Sequence, residues 1–238
     1  MTSFGADDRD RVDLPKLCWI CSNPADTGEH MAKATDFRLL FRGVDRPKPV
    51  YRTENGRNRK LVQGPNSDLL KFPRSLCGYC NSTRTQPYDS AWELFANFIA
   101  SISDHSRGCE IDLPTVFGAT YETGAISLHL YLVKQLGCHA VLNDIDLPIS
   151  QFEAALISSV PHPNVWIDFV SISSPTVSDL IVGRPKALSV NDQIAMVYWE
   201  YMLGPIGVVV TYSELLSSLP LQQRGWHPAT SPRCITLR

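Results

Sequence analysis

The stretch Leu76-Cys77-Gly78-Tyr79-Cys80-Asn81 carries two cysteines three positions apart. The same spacing occurs in Cys18-Trp19-Ile20-Cys21, with 55 intervening residues between the two pairs. Two such turns supply four thiolates, which suits the tetrahedral coordination of a structural zinc ion. A zinc ion held in this way would tie the start of a module to its end, and the alternative is four reduced, buried thiols. The predicted zinc ligands are Cys18, Cys21, Cys77 and Cys80.

The composition is that of an ordinary globular protein. Of the 238 residues, 44% are hydrophobic and 19% are charged, which suits one large domain or two small ones. No run of 18 apolar residues occurs, so no membrane span is predicted. The N-terminus is polar and lacks the apolar stretch of a secretory signal, so we expect a cytoplasmic location. In that reducing compartment two CxxC pairs favour metal binding, and the other cysteines are expected to be small buried residues.

The net charge of −2 conceals an asymmetry along the chain. Residues 1–90 hold fifteen Lys and Arg against eleven Asp and Glu, whereas residues 91–238 hold seven against thirteen. The basic excess is sharpest in residues 37–74, with ten basic against three acidic side chains. A locally positive segment on a mildly acidic protein predicts contact with a polyanion at one place.

Residues 14–102 are predicted to form a first domain that contains both cysteine pairs. Two strand-like runs flank Asn55-Gly56, a strong signal for the type I′ turn of a β-hairpin. The sequence Ser90-Ala91-Trp92-Glu93 has the form of a capping box and predicts the start of an amphipathic helix that runs to about residue 102. The segment 103–114, with its glycine and proline, is the predicted domain boundary.

Residues 115–238 are predicted to form a second, α+β domain of unrecognised type, suited to recognition or oligomerisation. One helix is predicted over residues 125–136, ending at Gly137, and another is predicted to begin at the capping box Ser150-Gln151-Phe152-Glu153. Three segments are rich in β-branched and aromatic side chains, and we expect the last two to pair as a hairpin. These predicted strands are residues 165–170, 194–203 and 206–212.

A candidate catalytic motif begins between the cysteine pairs. Thr27-Gly28-Glu29-His30-Met31 puts an acidic residue directly before a histidine, and Asn81-Ser82-Thr83-Arg84 directly follows the second cysteine pair. The ordered set of CxxC, Glu-His and CxxC-Asn-x-x-Arg resembles the HNH, or ββα-metal, endonuclease superfamily over residues 14–102. The resemblance implies a ββα-metal module that hydrolyses phosphodiester bonds, with DNA the favoured substrate. A defence role would be usual for such an architecture.

The chemistry of phosphodiester hydrolysis gives each residue of the motif a role. The reaction needs a base to deprotonate water and a cation to neutralise the developing charge. His30 is the predicted general base, because imidazole titrates near neutral pH. Glu29 and Asn81 offer the hard oxygen ligands that suit Mg²⁺ or Mn²⁺. Arg84, one helical turn after Asn81, is predicted to hold a phosphate oxygen.

The geometry of a strand sets a condition on this assignment. Adjacent side chains on a strand point to opposite faces, so joint use of Glu29 and His30 requires a bend at this pair, which Gly28 would permit. The motif also departs from the family pattern, since Phe72 occupies the position of the Asn that usually orients the base. Asn66 is the candidate substitute for that residue.

At the predicted helix start, the sequence differs from the common family pattern at two further places. Asn stands at position 81, where many members have His, and this variant lies within the family's pattern. Gln86-Pro87 is expected to interrupt the helix early. Asp89, just beyond, is either a helix N-terminal cap or a further metal ligand.

Six basic side chains in and around the hairpin form the predicted nucleic-acid surface. Lys and Arg side chains that neutralise phosphates release counterions, and this supplies most of the sequence-independent affinity for nucleic acid. The alternative is an ordinary solvated face. The six residues are Arg46, Lys48, Arg52, Arg57, Arg59 and Lys60.

The sequence therefore predicts an α+β protein in which a zinc-bound ββα-metal module precedes a second α+β domain. The predicted function is that of a metal-dependent endonuclease, with structural Zn²⁺ and catalytic Mg²⁺ or Mn²⁺. DNA is the predicted partner, and the second domain is expected to bind a protein partner or another copy of the chain. Two alternatives stay open: a non-catalytic zinc module that binds nucleic acid or protein, and a nuclease directed at RNA.

Overall fold

The computed structural model describes residues 16–41, 50–54, 57–172, 180–191, 193–220 and 223–238. The predicted turn Asn55-Gly56 and the predicted phosphate contacts Arg46 and Lys48 lie outside the described residues. The helices are α1 (Ala34–Phe41), α2 (Gln86–Ser101), α3 (Leu113–Phe117), α4 (Tyr121–Leu142) and α5 (Ile149–Ser158). The strands are β1 (Val50–Glu54), β2 (Arg57–Val62), β3 (Glu110–Asp112), β4 (Val165–Ser171), β5 (Leu180–Val182), β6 (Lys186–Val190), β7 (Gln193–Leu203), β8 (Ile206–Tyr212) and β9 (Cys234–Thr236).

The named strands pair only in antiparallel fashion within the described residues. β1 and β2 form one hairpin, and β3 pairs with β9. The largest sheet has the order β4-β8-β7-β5, with β6 also beside β7. Helices packed on antiparallel sheets define an α+β protein, so the predicted class is confirmed at this level.

Both predicted hairpins are present. In the first, Val50 pairs with Val62 across β1 and β2. In the second, β7 and β8 pair outward from Leu203 and Ile206. Gly204 lies between them with a φ of 57°, a left-handed conformation that glycine adopts without steric cost. The strands of both hairpins are therefore paired as predicted, and the described turn at Gly204 has the left-handed conformation that a tight hairpin turn requires.

Helix α2 begins earlier than predicted, at Gln86. The predicted start at the Ser90 capping box is wrong, because Ser90 already lies inside the helix. Pro87 opens the helix and does not interrupt it, since its fixed φ suits the first turn and its missing N–H would be unpaired there. The predicted apolar face is correct, and Trp92 and Phe95 on it are buried.

Helix α4 runs past its predicted end at Gly137, as far as Leu142. Gly137 is a point of close contact and not a C-cap, because a Cβ atom there would lie 2.6 Å from the Trp19 ring. The segment Leu113–Leu142 is long and apolar enough to cross a membrane by length and composition, with a mean hydropathy of 1.2. In this structure 83% of its apolar window is buried inside the protein, so α4 is the core helix.

Helix α5 lies close to its prediction, but its start is not the predicted capping box. The cap position is Pro148, and Ser150 is already helical. The helix ends where Ser159 takes a left-handed conformation with a φ of 54°. The Tyr88 hydroxyl of α2 lies 2.9 Å from the Ser159 hydroxyl, so this helix end is joined to α2.

A buried carboxylate anchors α1 to the rest of the protein. Asp36 is fully buried and accepts hydrogen bonds from Trp92 Nε1 at 2.9 Å and from the Tyr201 hydroxyl at 2.6 Å. Burial raises the pKa of Asp36 to about 6, although both hydrogen bonds act to lower it. One side chain therefore joins α1, α2 and β7.

The two predicted domains share one hydrophobic core in this structure. Helix α2 packs along α4, where Trp92 stacks on Tyr131 with ring centroids 5.0 Å apart. Trp92 also meets Tyr201 of the large sheet at 5.7 Å. The division into domains at residues 14–102 and 115–238 stays a prediction. In the structure, side chains from both segments pack into the same core.

The contact between Gly137 and Trp19 leads to the first testable prediction. We expect Gly137→Ala to lower the free energy of unfolding by about 1–2 kcal/mol, because the clash with the Trp19 ring outweighs the gain in helix propensity. Urea denaturation monitored by circular dichroism measures the change. Gly78→Ala is the matched control, since its Cβ would lie at an ordinary 3.9 Å from the Asp26 carboxylate. A more stable Gly137→Ala protein would contradict the close approach.

Candidate functional site

Four cysteine thiols converge at one point, as the sequence predicted. The sulfur atoms of Cys18, Cys21, Cys77 and Cys80 all lie within 4.8 Å of one another, and Cys21 Sγ is 3.5 Å from Cys77 Sγ. A tetrahedron with Zn–S bonds of about 2.3 Å has edges of roughly 3.8 Å, so the spacing fits. This cluster can hold a metal ion such as zinc.

Backbone and side-chain donors surround the thiol cluster. The amide of Cys80 donates to Cys77 Sγ at 3.4 Å, which is the geometry of a knuckle that favours the thiolate. Arg84 Nη1 donates to Cys80 Sγ at 3.3 Å, and the Arg84 guanidinium lies over the Tyr79 ring at 5.2 Å. The Arg84 guanidinium, which was predicted to hold a phosphate oxygen, is therefore engaged with the cysteine cluster.

A cleft of about 900 Å³ lies beside the cysteine cluster, and we call it the basic cleft. It is lined by the predicted base His30, by the predicted ligand Asn81, and by three cations and two carboxylates. The cations are Arg52, Lys71 and Arg74. The carboxylates are Asp26 and Asp68, and Asp68 pairs with Lys71. The cleft thus combines an imidazole, oxygen donors and positive charge.

Glu29 and His30 point to opposite faces of an extended segment. His30 forms a bridge with Lys71, and Phe72 N–H donates to the Glu29 carbonyl at 2.8 Å. Glu29 is only 2% exposed and faces α4, whereas His30 faces the basic cleft. The bend that joint use of the pair requires is not present, because the strand alternation continues through it. Glu29, the metal ligand that the resemblance implies, therefore does not line the basic cleft.

Glu29 belongs to a buried charge network. Lys134 of α4 is fully buried and donates to Glu29 Oε2 at 2.7 Å and to Asp89 Oδ1 at 2.6 Å. Lys33 also reaches Asp89 at 2.9 Å and Glu29 at 3.5 Å. Burial acts to raise the pKa of Glu29, but Lys134 and Lys33 lower it below its ordinary value. Asp89, considered above as a cap or metal ligand, is a partner of these lysines.

The His30 ring is poised as a neutral imidazole. Burial lowers its pKa, an effect that Glu29 opposes and Lys33 and Lys71 assist. Its Nε2 atom is buried and has no hydrogen-bond partner among the described residues. The His30 residue lines the basic cleft, and a neutral imidazole has one ring nitrogen that can accept a proton.

Asn81 and Gly28 bring the second motif against the first. Asn81 Nδ2 lies 3.5 Å from the Gly28 carbonyl. A Cβ atom at Gly28 would lie 2.0 Å from the Phe72 carbonyl, so only glycine allows this approach of the two segments. Phe72 itself is buried against the His139 ring at 4.7 Å, and Asn66 is exposed and does not line the cleft. Positions 66 and 72 therefore place no side-chain amide in the basic cleft.

Three of the cleft residues were missed by the sequence reasoning. Asp26 lies two and four positions before Gly28 and His30, so period-two alternation along the strand would have placed it on the His30 face. Its Oδ1 accepts from the Gly78 amide at 2.7 Å. Lys71 and Arg74 lie in the basic segment 37–74, but no local motif distinguished them.

The predicted basic surface is only partly described. Arg52 lines the basic cleft and its guanidinium donates to the Leu69 carbonyl. Lys60 is exposed on β2. Arg57 and Arg59 lie on the same strand, and their side chains are outside the described structure. Among the described side chains of the predicted set, Arg52 is the one that reaches the cleft.

Comparisons of the chain with protein families, with curated proteins and with solved structures gave no match. The candidate site is therefore defined by two features of the structure. One is the four-cysteine cluster of Cys18, Cys21, Cys77 and Cys80. The other is the basic cleft next to it.

Proposed function

We propose that the protein is a metal-dependent endonuclease of the ββα-metal type, which hydrolyses phosphodiester bonds in the basic cleft. The observation that carries the proposal is that His30 and Asn81, from the two separate motifs, line one cleft together with Arg52, Lys71 and Arg74. A neutral base, oxygen donors and cations for the phosphate are the components that this reaction needs.

His30 is the proposed general base. Burial holds the imidazole in its neutral form near pH 7, and its neighbour Glu29 faces the core and does not compete for the same proton. A base of this kind removes a proton from the attacking water. The proton acceptor is a ring nitrogen of His30, as proposed from the sequence.

Asn81 and Asp26 are the proposed ligands of a divalent ion such as Mg²⁺ or Mn²⁺. Both line the basic cleft, and both present oxygen atoms, which hard cations prefer. Asp26 takes the role that the resemblance assigned to Glu29, because Glu29 is held by Lys134 and Lys33. When bound, the ion would neutralise charge that develops on the phosphate.

Nucleic acid is the proposed partner, with DNA favoured by the HNH resemblance. Arg74 is exposed at the cleft, and Lys71 is only part-buried there, so both can meet a phosphate backbone. The cysteine cluster fixes the start of the segment that carries Asn81, since Cys80 directly precedes it. Zinc would therefore support the cleft without entering the chemistry.

The catalytic prediction concerns His30. We expect His30→Ala to slow the nicking of supercoiled plasmid in Mg²⁺ by about 10²–10⁴-fold, because the general base is lost. Zinc content and nucleic-acid affinity should stay as in the wild type. His105→Ala is the matched control, since His105 is part-exposed and outside the cleft. Equal cutting by wild-type and His30→Ala protein would place the reaction elsewhere.

A second candidate function is a non-catalytic zinc module that binds nucleic acid. The buried pairing of Glu29 with two lysines favours it, because the carboxylate directly before His30 is unavailable to a metal ion. The same assay, run with DNA and with RNA and repeated with chelator, separates the alternatives. Binding without cutting of either substrate in Mg²⁺ or Mn²⁺ would support the second candidate, and cutting of RNA alone would reassign the substrate.

A further inference from the structure

Helix α4 contacts the His30 segment through two consecutive polar side chains. Gln135 Nε2 donates to the His30 carbonyl at 3.1 Å. Lys134 Nζ donates to Glu29 Oε2 at 2.7 Å, and Glu29 Oε1 accepts from the His30 amide at 3.0 Å. One turn of α4 therefore contacts the His30 carbonyl directly, through Gln135, and the His30 amide indirectly, through Lys134 and Glu29.

These polar side chains are unusual for their surroundings. Lys134 and Gln135 are fully buried in a helix that is otherwise almost entirely apolar over its second half. The Gln135 Oε1 atom has no hydrogen-bond partner among the described residues. Replacing a buried ion pair by apolar side chains is often neutral or stabilising, so stability alone gives little reason for charge at this place.

The segment that carries His30 also pairs with residues 70–76 through backbone hydrogen bonds. Met31 N–H donates to the Leu70 carbonyl at 2.8 Å, and Phe72 N–H donates to the Glu29 carbonyl at 2.8 Å. These bonds fix the path of the chain beside His30, whereas the bond from Gln135 reaches the carbonyl of His30 itself. The contacts from α4 lie on the side of the segment opposite the basic cleft, where they can set the height and tilt of the imidazole without obstructing the substrate.

We infer that α4 positions the general base: Gln135 and Lys134 act through the His30 backbone and Glu29 to hold the imidazole in the basic cleft. The second half of the chain is then part of the catalytic unit as well as a candidate for recognition. The assignment of the reaction rests on the proposed function, whereas the placement of the His30 ring does not. A displacement of about 1 Å at a catalytic group can lower a rate by about 100-fold.

The test uses the full-length protein with Gln135→Met, which keeps the side-chain length and removes the donor to the His30 carbonyl. We expect kcat for plasmid nicking to fall by about 10- to 100-fold with KM unchanged. We also expect the His30 ring signals in ¹H–¹³C spectra at constant pH to shift or broaden. Ser127→Ala, a buried polar-to-apolar change earlier in α4, is the matched control and should alter neither quantity.

Lys134→Met provides a second variant, and it is expected to be less stable because Glu29 and Asp89 lose a buried partner. Gln135→Met keeps the inference open to refutation if Lys134→Met does not fold. A folded Gln135→Met protein with wild-type kcat and unchanged His30 signals would overturn the inference. If wild-type protein cuts no substrate, the proposed function fails, and the His30 signals alone then decide the positioning role.

Discussion

Replacing Cys77 with Ser is expected to unfold the N-terminal part of the protein and to abolish its zinc content. The four thiols form one cluster, and Cys77→Ser removes one of the four thiolate ligands that a closed tetrahedral zinc site requires. Structural zinc contributes on the order of 10 kcal/mol to small modules, which is comparable to the whole stability of an ordinary domain. The neighbouring residues Ile20 and Leu76 are fully buried, so the damage should spread into the core.

The measurement is metal analysis by mass spectrometry combined with thermal unfolding, with and without chelator. Wild-type protein should hold about one zinc ion per chain, and chelator should lower its melting temperature. Cys109→Ser is the matched control, because Cys109 is only part-buried and lies outside the cluster. Stable, well-folded wild-type protein without any metal would refute the zinc assignment.

Features set by residues close in sequence were predictable, and the cysteine spacing is the clearest case. Two CxxC turns carry their own chemistry, so the cluster was located without knowledge of the intervening 55 residues. The hairpins were equally local. The predicted starts of α2 and α5 were wrong for a related reason. The sequences that begin at Ser90 and Ser150 have the form of capping boxes, but the two helices begin next to Pro87 and Pro148.

The structural role of Glu29 could not be predicted from the local sequence. Its main partner, Lys134, lies 105 positions away on a helix whose pattern shows only burial. The choice between metal ligand and buried ion pair therefore depended on tertiary packing. Strand alternation was nevertheless informative, because it separates Glu29 from His30 and groups Asp26 with His30. The same alternation would have placed the Asp26 carboxylate on the cleft side of the segment.

Acidification is expected to destabilise the protein strongly, because several histidines are buried in neutral form. Burial lowers the pKa of His129 to about 3 and the pKa values of His139 and His162 to about 4. In the unfolded chain an ordinary histidine has a pKa of about 6.5. Between about pH 4 and pH 6.5 the unfolded chain therefore binds more protons, and stability falls as the pH falls through that range.

The size of the effect follows from the three shifts. At pH 5 each histidine costs about 2 kcal/mol relative to pH 7.5, or about 6 kcal/mol together. Asp36 acts in the opposite direction, since its raised pKa of about 6 makes the folded state take up a proton first, which returns about 1 kcal/mol. The lowered pKa of Glu29 matters only below its ordinary range. The expected net loss is about 4–5 kcal/mol, a large part of a typical folding free energy.

Urea denaturation at pH 7.5, 6 and 5 measures this loss. His139→Phe should flatten the pH dependence by about 2 kcal/mol, because it removes one titrating ring. Its ring contacts with Phe72 at 4.7 Å and Trp199 at 4.8 Å should be kept by the phenyl group. His105→Gln, at a part-exposed position, is the control for removal of a histidine outside the buried set. A free energy of unfolding that is constant from pH 7.5 to pH 5 would show that the buried histidines do not remain neutral in the folded protein.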